Sequence, residues 1–283
     1  MTQLVQILIT LSTLSPFASA VHRAVEIHDF ERPEVVRLYS LMPGIFKDIQ
    51  SFKDEYNNWC TGVAISDSEV LTAGHCLFPD LSEVRLEPYY VQVSSSGGTK
   101  IVKAMNFITT YKREPFDYPY NPEIQYHPGY VKGCQKGPIP LFKTKESDLA
   151  LVTFPKGTFS HWWEVDLKSP LKIGDEVEFW GYGVKFNSFV RAPMAPDLKS
   201  GALGRGSAVI TQENDQRVAF ELPAEGHWAD SGDSGGPVLK DGRVVAILAT
   251  RHEKCETPEG GDYVILNTAT RLLSPENKIL PSN

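Results

Sequence analysis

Gly232-Asp233-Ser234-Gly235-Gly236-Pro237 sets a hydroxyl in the middle of a tight turn. Glycine on both sides of Asp233-Ser234 frees the backbone for conformations closed to other residues, and Pro237 closes the run. Close behind comes Val244-Val245-Ala246-Ile247-Leu248, a short apolar stretch bounded by Gly and Arg on one side. The same kind of segment recurs along the chain at Val63-Ala64-Ile65, Val70-Leu71, Val91-Gln92-Val93, Leu149-Ala150-Leu151-Val152, Val177-Glu178-Phe179 and Val218-Ala219-Phe220. Each is short, rich in β-branched or aromatic residues, and set between turn formers, as strands are. Helical periodicity is scarce, with Glu34–Leu41 and Thr268–Leu273 its best candidates. With 22 Gly and 20 Pro, the pattern predicts an all-β sandwich or barrel.

Composition narrows the function. The 283 residues carry 28 Lys+Arg against 35 Asp+Glu, a net charge of −7. A nucleic-acid partner is not expected, because backbone binding needs clustered basic residues. A hydrophobic content of 41% fits a packed core and excludes a disordered chain. Leu4 to Leu14 is mostly apolar and ends before Ala18-Ser19-Ala20, a small-x-small pattern, so residues 1–20 read as a signal peptide. That stretch is too short and too polar to span a bilayer, and no later stretch approaches a span. The mature protein is expected to be secreted or periplasmic, with no membrane attachment. In an oxidising compartment its 4 Cys are expected to pair.

One region breaks the pattern. Between Tyr111 and Phe142 stand six Pro, five Tyr and three Gly. Proline and glycine punctuate it too often for regular strands, so it reads as a long loop.

Two further short motifs accompany the serine turn: Thr72-Ala73-Gly74-His75-Cys76, and Asp148-Leu149-Ala150-Leu151. Alone, each has a plain structural explanation. A lone His is usually a surface or satisfied core group, and an Asp before a strand is usually a turn residue. In the order His, Asp, Ser they resemble the chymotrypsin/trypsin family of serine endopeptidases. The resemblance runs from about Val35 to Leu273 and includes Trp180-Gly181-Tyr182-Gly183, where Tyr182 stands for the family's Trp.

The resemblance implies two packed antiparallel six-stranded β-barrels with the active site between them. Residues 35–155 would form the barrel carrying His75 and Asp148, and residues 156–283 the barrel carrying Ser234. A serine hydroxyl attacks a carbonyl only when a neighbouring base takes its proton. His75 would be that base, and Asp148 would fix its tautomer. The N–H groups of Gly232 and Ser234 would form the oxyanion hole, where one donor is worth about 3 kcal/mol. Cys60 and Cys76 match the family's disulfide beside the histidine, a bridge worth roughly 3 kcal/mol. For Cys134 and Cys255 a non-standard bridge is expected, against the alternative of two buried thiols.

Several positions depart from the family. No Ile-Val-Gly-Gly precedes Cys60 to supply the ammonium that would pair with Asp233. Val35-Val36 lies at about the right distance, but Arg37 and Leu38 replace the glycines. Val21 would be freed by signal removal, and Val25 with Asp29 and Arg32 resembles the start of some bacterial glutamyl-endopeptidase-like relatives. Processing is therefore expected within 21–35, with 21–34 as a short pro-segment and an activating protease as one partner. Trp228, Ala249, Arg251 and Gly261 fall at the specificity pocket. Trp228 stands six before Ser234, where trypsin-like members carry Asp, and Ala249 replaces a Ser that contacts the catalytic Asp. Narrow specificity follows, for a small or acidic residue before the cut rather than Lys or Arg.

His75 and Asp148 are 73 positions apart, with the excess around residues 109–143, which would border the cleft or merely elaborate the surface. His22, His28, His127, His161, His227 and His252 show no zinc-like spacing, so no metal and no cofactor are expected. The sequence thus reads as a monomeric serine endopeptidase acting on protein or peptide substrates through an acyl-enzyme. A catalytically impaired, protease-like binding protein is the alternative, and a hydrolase of small esters on the same fold is a third.

Overall fold

Alternation of buried side chains decides which way each strand faces, and here it sorts the apolar residues into three layers. The computed structural model describes residues 25–27, 31–41, 59–77, 87–95, 98–110, 147–183, 203–213, 215–223, 229, 232–249, 253–256, 263–273 and 280. Strand β1 (Val25–Ile27) comes first. The next seven form one antiparallel sheet: β2 (Val35–Leu41), β3 (Trp59–Ala64), β4 (Glu69–Thr72), β5 (Glu87–Ser95), β6 (Gly98–Lys103), β7 (Asn106–Thr109) and β8 (Ala150–Thr153). Their order is β6-β5-β2-β3-β4-β8-β7.

The second sheet holds β9 (Glu176–Gly181), β10 (Leu203–Val209), β11 (Gln212–Glu213), β12 (Arg217–Pro223), β13 (Pro237–Lys240), β14 (Arg243–Leu248), β15 (Glu253–Glu256) and β16 (Tyr263–Arg271). Its order is β1-β10-β9-β13-β14-β16-β12-β11, with β15 on β16. The expected all-β, two-sheet chymotrypsin-like architecture is therefore observed, with seven and nine strands rather than six and six. One addition is β1, which crosses from ahead of the first sheet to pair with β10, Val25 opposite Arg205.

The period of two explains the layers. On β2, Val36 and Leu38 turn into the first sheet with Val70, Val91, Ala150, Val152 and Phe154. On β12, Val218 and Phe220 turn into the second with Val177, Phe179, Val245 and Leu248. The opposite faces meet in a third layer: Val63, Leu71, Leu149 and Leu151 from one sheet against Trp180, Tyr182, Val244 and Ile247 from the other.

The two helix candidates are strands. Glu34–Leu41 became β2, where Leu38 pairs with Cys60 on one side and Val91 on the other. Thr268–Leu273 overlaps β16, between β12 and β14. Both had few helical matches, and cross-strand pairing outweighed them. Among the described residues no helix is long and apolar enough to cross a membrane.

Trp180 anchors the seam. It is fully buried, its ring centroid lies 5.8 Å from that of Trp163, and Arg32 and Arg205 approach it at 5.5 and 5.8 Å. Trp180→Ala is expected to destabilise the protein by about 3–5 kcal/mol, read from the urea midpoint at unchanged slope.

Candidate active site

His75 sits in a single 3-10 turn, Gly74–Leu77, directly after β4. Asp148 precedes β8, which pairs with β4, so neighbouring strands deliver the two side chains to the same end of the sheet. The Asp148 carboxylate accepts the His75 backbone N–H at 2.8 Å, and Nδ1 of the ring lies 2.7 Å from its second oxygen. An ionised carboxylate only accepts, so Nδ1 carries the proton and Nε2 is left as the basic nitrogen. Asp148 is buried and His75 partly exposed.

Burial pushes the Asp148 carboxyl up. The His75 charge, the two hydrogen bonds from His75 and the charge of Arg217 outweigh that and hold it below the ordinary carboxylate range.

The serine turn arrives from the other sheet. Gly232, Gly235 and Gly242 all have positive φ, and Ser234 sits between two of them at the entrance to β13. The turn docks on β3 of the first sheet. Thr61 N–H donates to the Ser234 carbonyl at 2.8 Å, and the Thr61 hydroxyl donates to the Gly232 carbonyl at 2.8 Å. That hydroxyl also accepts Tyr182 N–H at 2.9 Å, so it is used in both directions. A Cβ on Gly235 would collide with the Thr61 carbonyl and the Thr72 hydroxyl, at a φ of +86°. Only glycine lets the chain pass this close to the His75 segment.

Cys60 and Cys76 are joined in a disulfide with Cα atoms 6.1 Å apart. The Cys76 sulfur lies 4.0 Å from His75 Nε2 and 3.7 Å from the Ser234 carbonyl oxygen. The disulfide thus touches both the imidazole edge and the serine turn. Although Cys60, His75 and Cys76 cluster closely, the two sulfurs are bonded to each other and are not thiolate ligands.

Behind Ser234, Asp233 is fully buried and accepts Gly183 N–H at 2.7 Å. A side chain on Gly183 would collide with that carboxylate. Ala249 is buried at the end of β14, its N–H and carbonyl both engaged with Thr268, at 2.9 and 2.7 Å. The structure thus brings His75, Asp148, Gly232, Asp233, Ser234 and Ala249 to one seam. Trp228, Arg251, Gly261 and Cys134 lie outside the described residues, as do residues 1–20 and the side chain of Cys255. So does the whole Tyr/Pro-rich loop, residues 111–142, together with residues 143–146. Its stems are described: the Thr110 hydroxyl meets the Ser147 hydroxyl at 2.7 Å, one residue before Asp148.

Two antiparallel sheets with a His–Asp pair on one and a glycine-flanked serine on the other define the chymotrypsin-like class. The family model for trypsin matches residues 47–271, and the chain belongs to that family. A trypsin of Phaedon cochleariae is 23% identical over 242 residues, spanning 81% of this chain and 83% of its own. Among solved structures, an inactivated protease paralogue of the scabies mite superposes with a TM-score of 0.53 at 18% identity, covering 89% of this chain and 94% of its own. A Glu endopeptidase superposes at 0.51 and 14% identity, covering 92% and 93%. At such identities these two likenesses concern the fold.

Thr61 is the site residue that the sequence did not flag, since it belongs to none of the three motifs. Only its place next to Cys60 hinted at it. Thr61→Val keeps the shape and strands both Gly232 O and Tyr182 N–H. We expect about 1–3 kcal/mol of lost stability per stranded group, measured by denaturant unfolding of the variant beside wild type.

Proposed function

We propose that the protein is a secreted serine endopeptidase. The observation that carries this is the His75 Nδ1 to Asp148 contact of 2.7 Å, with the serine turn docked on β3, the strand paired with the β4 that leads into His75.

Ser234 Oγ attacks the scissile carbonyl carbon and passes its proton to His75 Nε2. The imidazolium that forms is stabilised by Asp148, whose charge faces Nδ1. Negative charge growing on the carbonyl oxygen is met by the N–H groups of Gly232 and Ser234. The tetrahedral intermediate collapses, Nε2 protonates the leaving amine, and an acyl-enzyme remains on Ser234. Water, deprotonated by His75, then releases the acid. No cofactor enters these steps.

A second reading has one observation in its favour. Ala249 offers no side-chain donor to the site. On that reading the protein binds peptides without cutting them. Labelling by a fluorophosphonate probe separates the two. Wild type should react and Ser234→Ala should not. An unlabelled wild type, after every processing step has been tried, selects the binding protein.

Activation and specificity complete the proposal. Because β1 is part of the second sheet, a mature terminus upstream of Val25 keeps that strand, whereas a cut at Val35 would remove it. The new ammonium would pair with Asp233. Trp228, in place of an acidic residue, argues against cleavage after Lys or Arg and for a small or acidic residue there. N-terminal sequencing of active secreted protein should find a start between 21 and 25, and a peptide library should show little cleavage after Lys or Arg. An active chain beginning at Met1, or efficient tryptic cleavage, would overturn the respective half.

A further inference from the structure

Asn267 lies on β16, opposite Phe220 of β12, and is fully buried. Its amide meets one residue in both directions. Ala229 N–H donates to Oδ1 at 3.0 Å, and Nδ2 donates to the Ala229 carbonyl at 3.0 Å. Ala229 sits in the apolar layer with Val218, Phe220 and Ala269, where an unpaired N–H or C=O is costly. A side-chain amide offers an acceptor and a donor side by side, and this one spends both on the backbone of residue 229.

The next residue does the same for another stretch of chain. The Thr268 carbonyl accepts Ala249 N–H at 2.9 Å, and the Thr268 hydroxyl donates to the Ala249 carbonyl at 2.7 Å. Both stretches issue from the serine turn. Ala229 stands three residues before Gly232. Ala249 follows Leu248, whose N–H donates to the Gly236 carbonyl at 2.8 Å and whose carbonyl accepts Gly235 N–H at 2.7 Å. Ser234 therefore stands where two arms diverge, and Asn267–Thr268 tie them together again on β16. The crossbar of this frame is one peptide unit, about 3.8 Å between Cα atoms, and it does not stretch.

We propose that Asn267 and Thr268 are positioning residues for substrate selection: they set the gauge of two arms beside Ser234, between which the side chain preceding the scissile bond must fit. This rests on the protease reading above. Ala249 is one of the positions expected at the specificity pocket, whereas Asn267 and Thr268 belong to no motif and to none of the expected pocket positions. All four residues of the clamp are buried, so water does not compete for its bonds. Each arm is held by its backbone, so the gauge is independent of which side chains stand at 229 and 249. A pocket tells similar side chains apart by fit, and one methylene is worth roughly ten- to two-hundred-fold. Loosening an arm lets a wall yield, poorly fitting residues are accepted, and the contrast falls.

The test uses the mature secreted chain, its sites titrated with a fluorophosphonate probe, and tetrapeptide p-nitroanilides ending in Ala, Val, Leu, Phe, Glu or Lys. Wild type, Thr268→Val, Thr268→Ser, Asn267→Asp and Asn267→Leu are compared by the ratio of kcat/KM between best and worst substrate. Thr268→Val keeps the shape and loses the 2.7 Å bond to Ala249. Its ratio should fall about five-fold or more, and Thr268→Ser should hold the wild-type ratio. Asn267→Asp, when ionised, keeps the acceptor and loses the donor, and Asn267→Leu loses both, so the contrast should fall in that order. The same peptides as amides are bound by calorimetry to each variant on a Ser234→Ala background, a readout that needs no catalysis. Their affinities should lose contrast alike. A merely structural pair would lower the yield of active sites and leave the ratio per site unmoved, which overturns the proposal. So does a loss of contrast in Thr268→Ser as large as in Thr268→Val. If neither Asn267 variant folds, the two Thr268 variants decide. A wild type that takes no label counts against the protease reading, and the peptide affinities then decide the role of Asn267 and Thr268.

Discussion

A single hydroxyl group joins the halves of this molecule. Thr61 lies on β3 of the first sheet, yet its Oγ1 donates to Gly232 and accepts from Tyr182, both on the second. Its backbone N–H holds Ser234, and its carbonyl takes the Thr72 hydroxyl at 2.8 Å. Those four contacts fix the serine turn against the segment that carries His75. Neither sheet contains a complete site, so everything chemical depends on the accuracy with which they meet. Hydrophobic burial draws the faces together but has no direction. Directional bonds at Thr61 supply the alignment, in a place where water cannot compete for them.

The rest of the seam follows the same division of labour. Leu149 and Leu151 share one apolar cluster with Ile247 and Val244, while among the described residues buried charged groups are few. Asp148 is met by His75, Asp233 by Gly183, and Arg37 by the Tyr182 ring at 4.4 Å. In this scheme a mostly apolar interface makes every charge within it act at long range, because little solvent intervenes.

Much of this was legible in the sequence and some was not, for physical reasons. Strands such as Leu149–Val152 and Val244–Leu248 announced themselves because their apolar runs are dense. β2 did not, because Arg37, Tyr39 and Ser40 dilute its alternation and a weak helical pattern survives. β1 could not be foreseen: three residues, Val25–Ile27, carry no signal of their own, and a distant edge strand recruits them. The motif residues His75, Asp148 and Ser234 were readable because the proposed reaction demands those side chains at close quarters. Thr61 was not, since a threonine beside a cysteine is common. Its role exists only once two sheets face each other.

The stems of the Tyr/Pro-rich segment have a consequence for how this chain can change over time. Thr110 and Ser147 meet through their hydroxyls, and Thr110 N–H binds the Leu149 carbonyl at 3.0 Å. The loop is thus closed at its neck by bonds that do not involve residues 111–146 at all. Once the neck is held, doubling the enclosed length adds only about 0.6 kcal/mol of closure entropy. Insertions, deletions and wholesale replacement there are thermodynamically cheap, and they leave Asp148 where it is. The neck works as a socket beside the reactive groups, into which new peptide can be grafted while the machinery next to it stays constant.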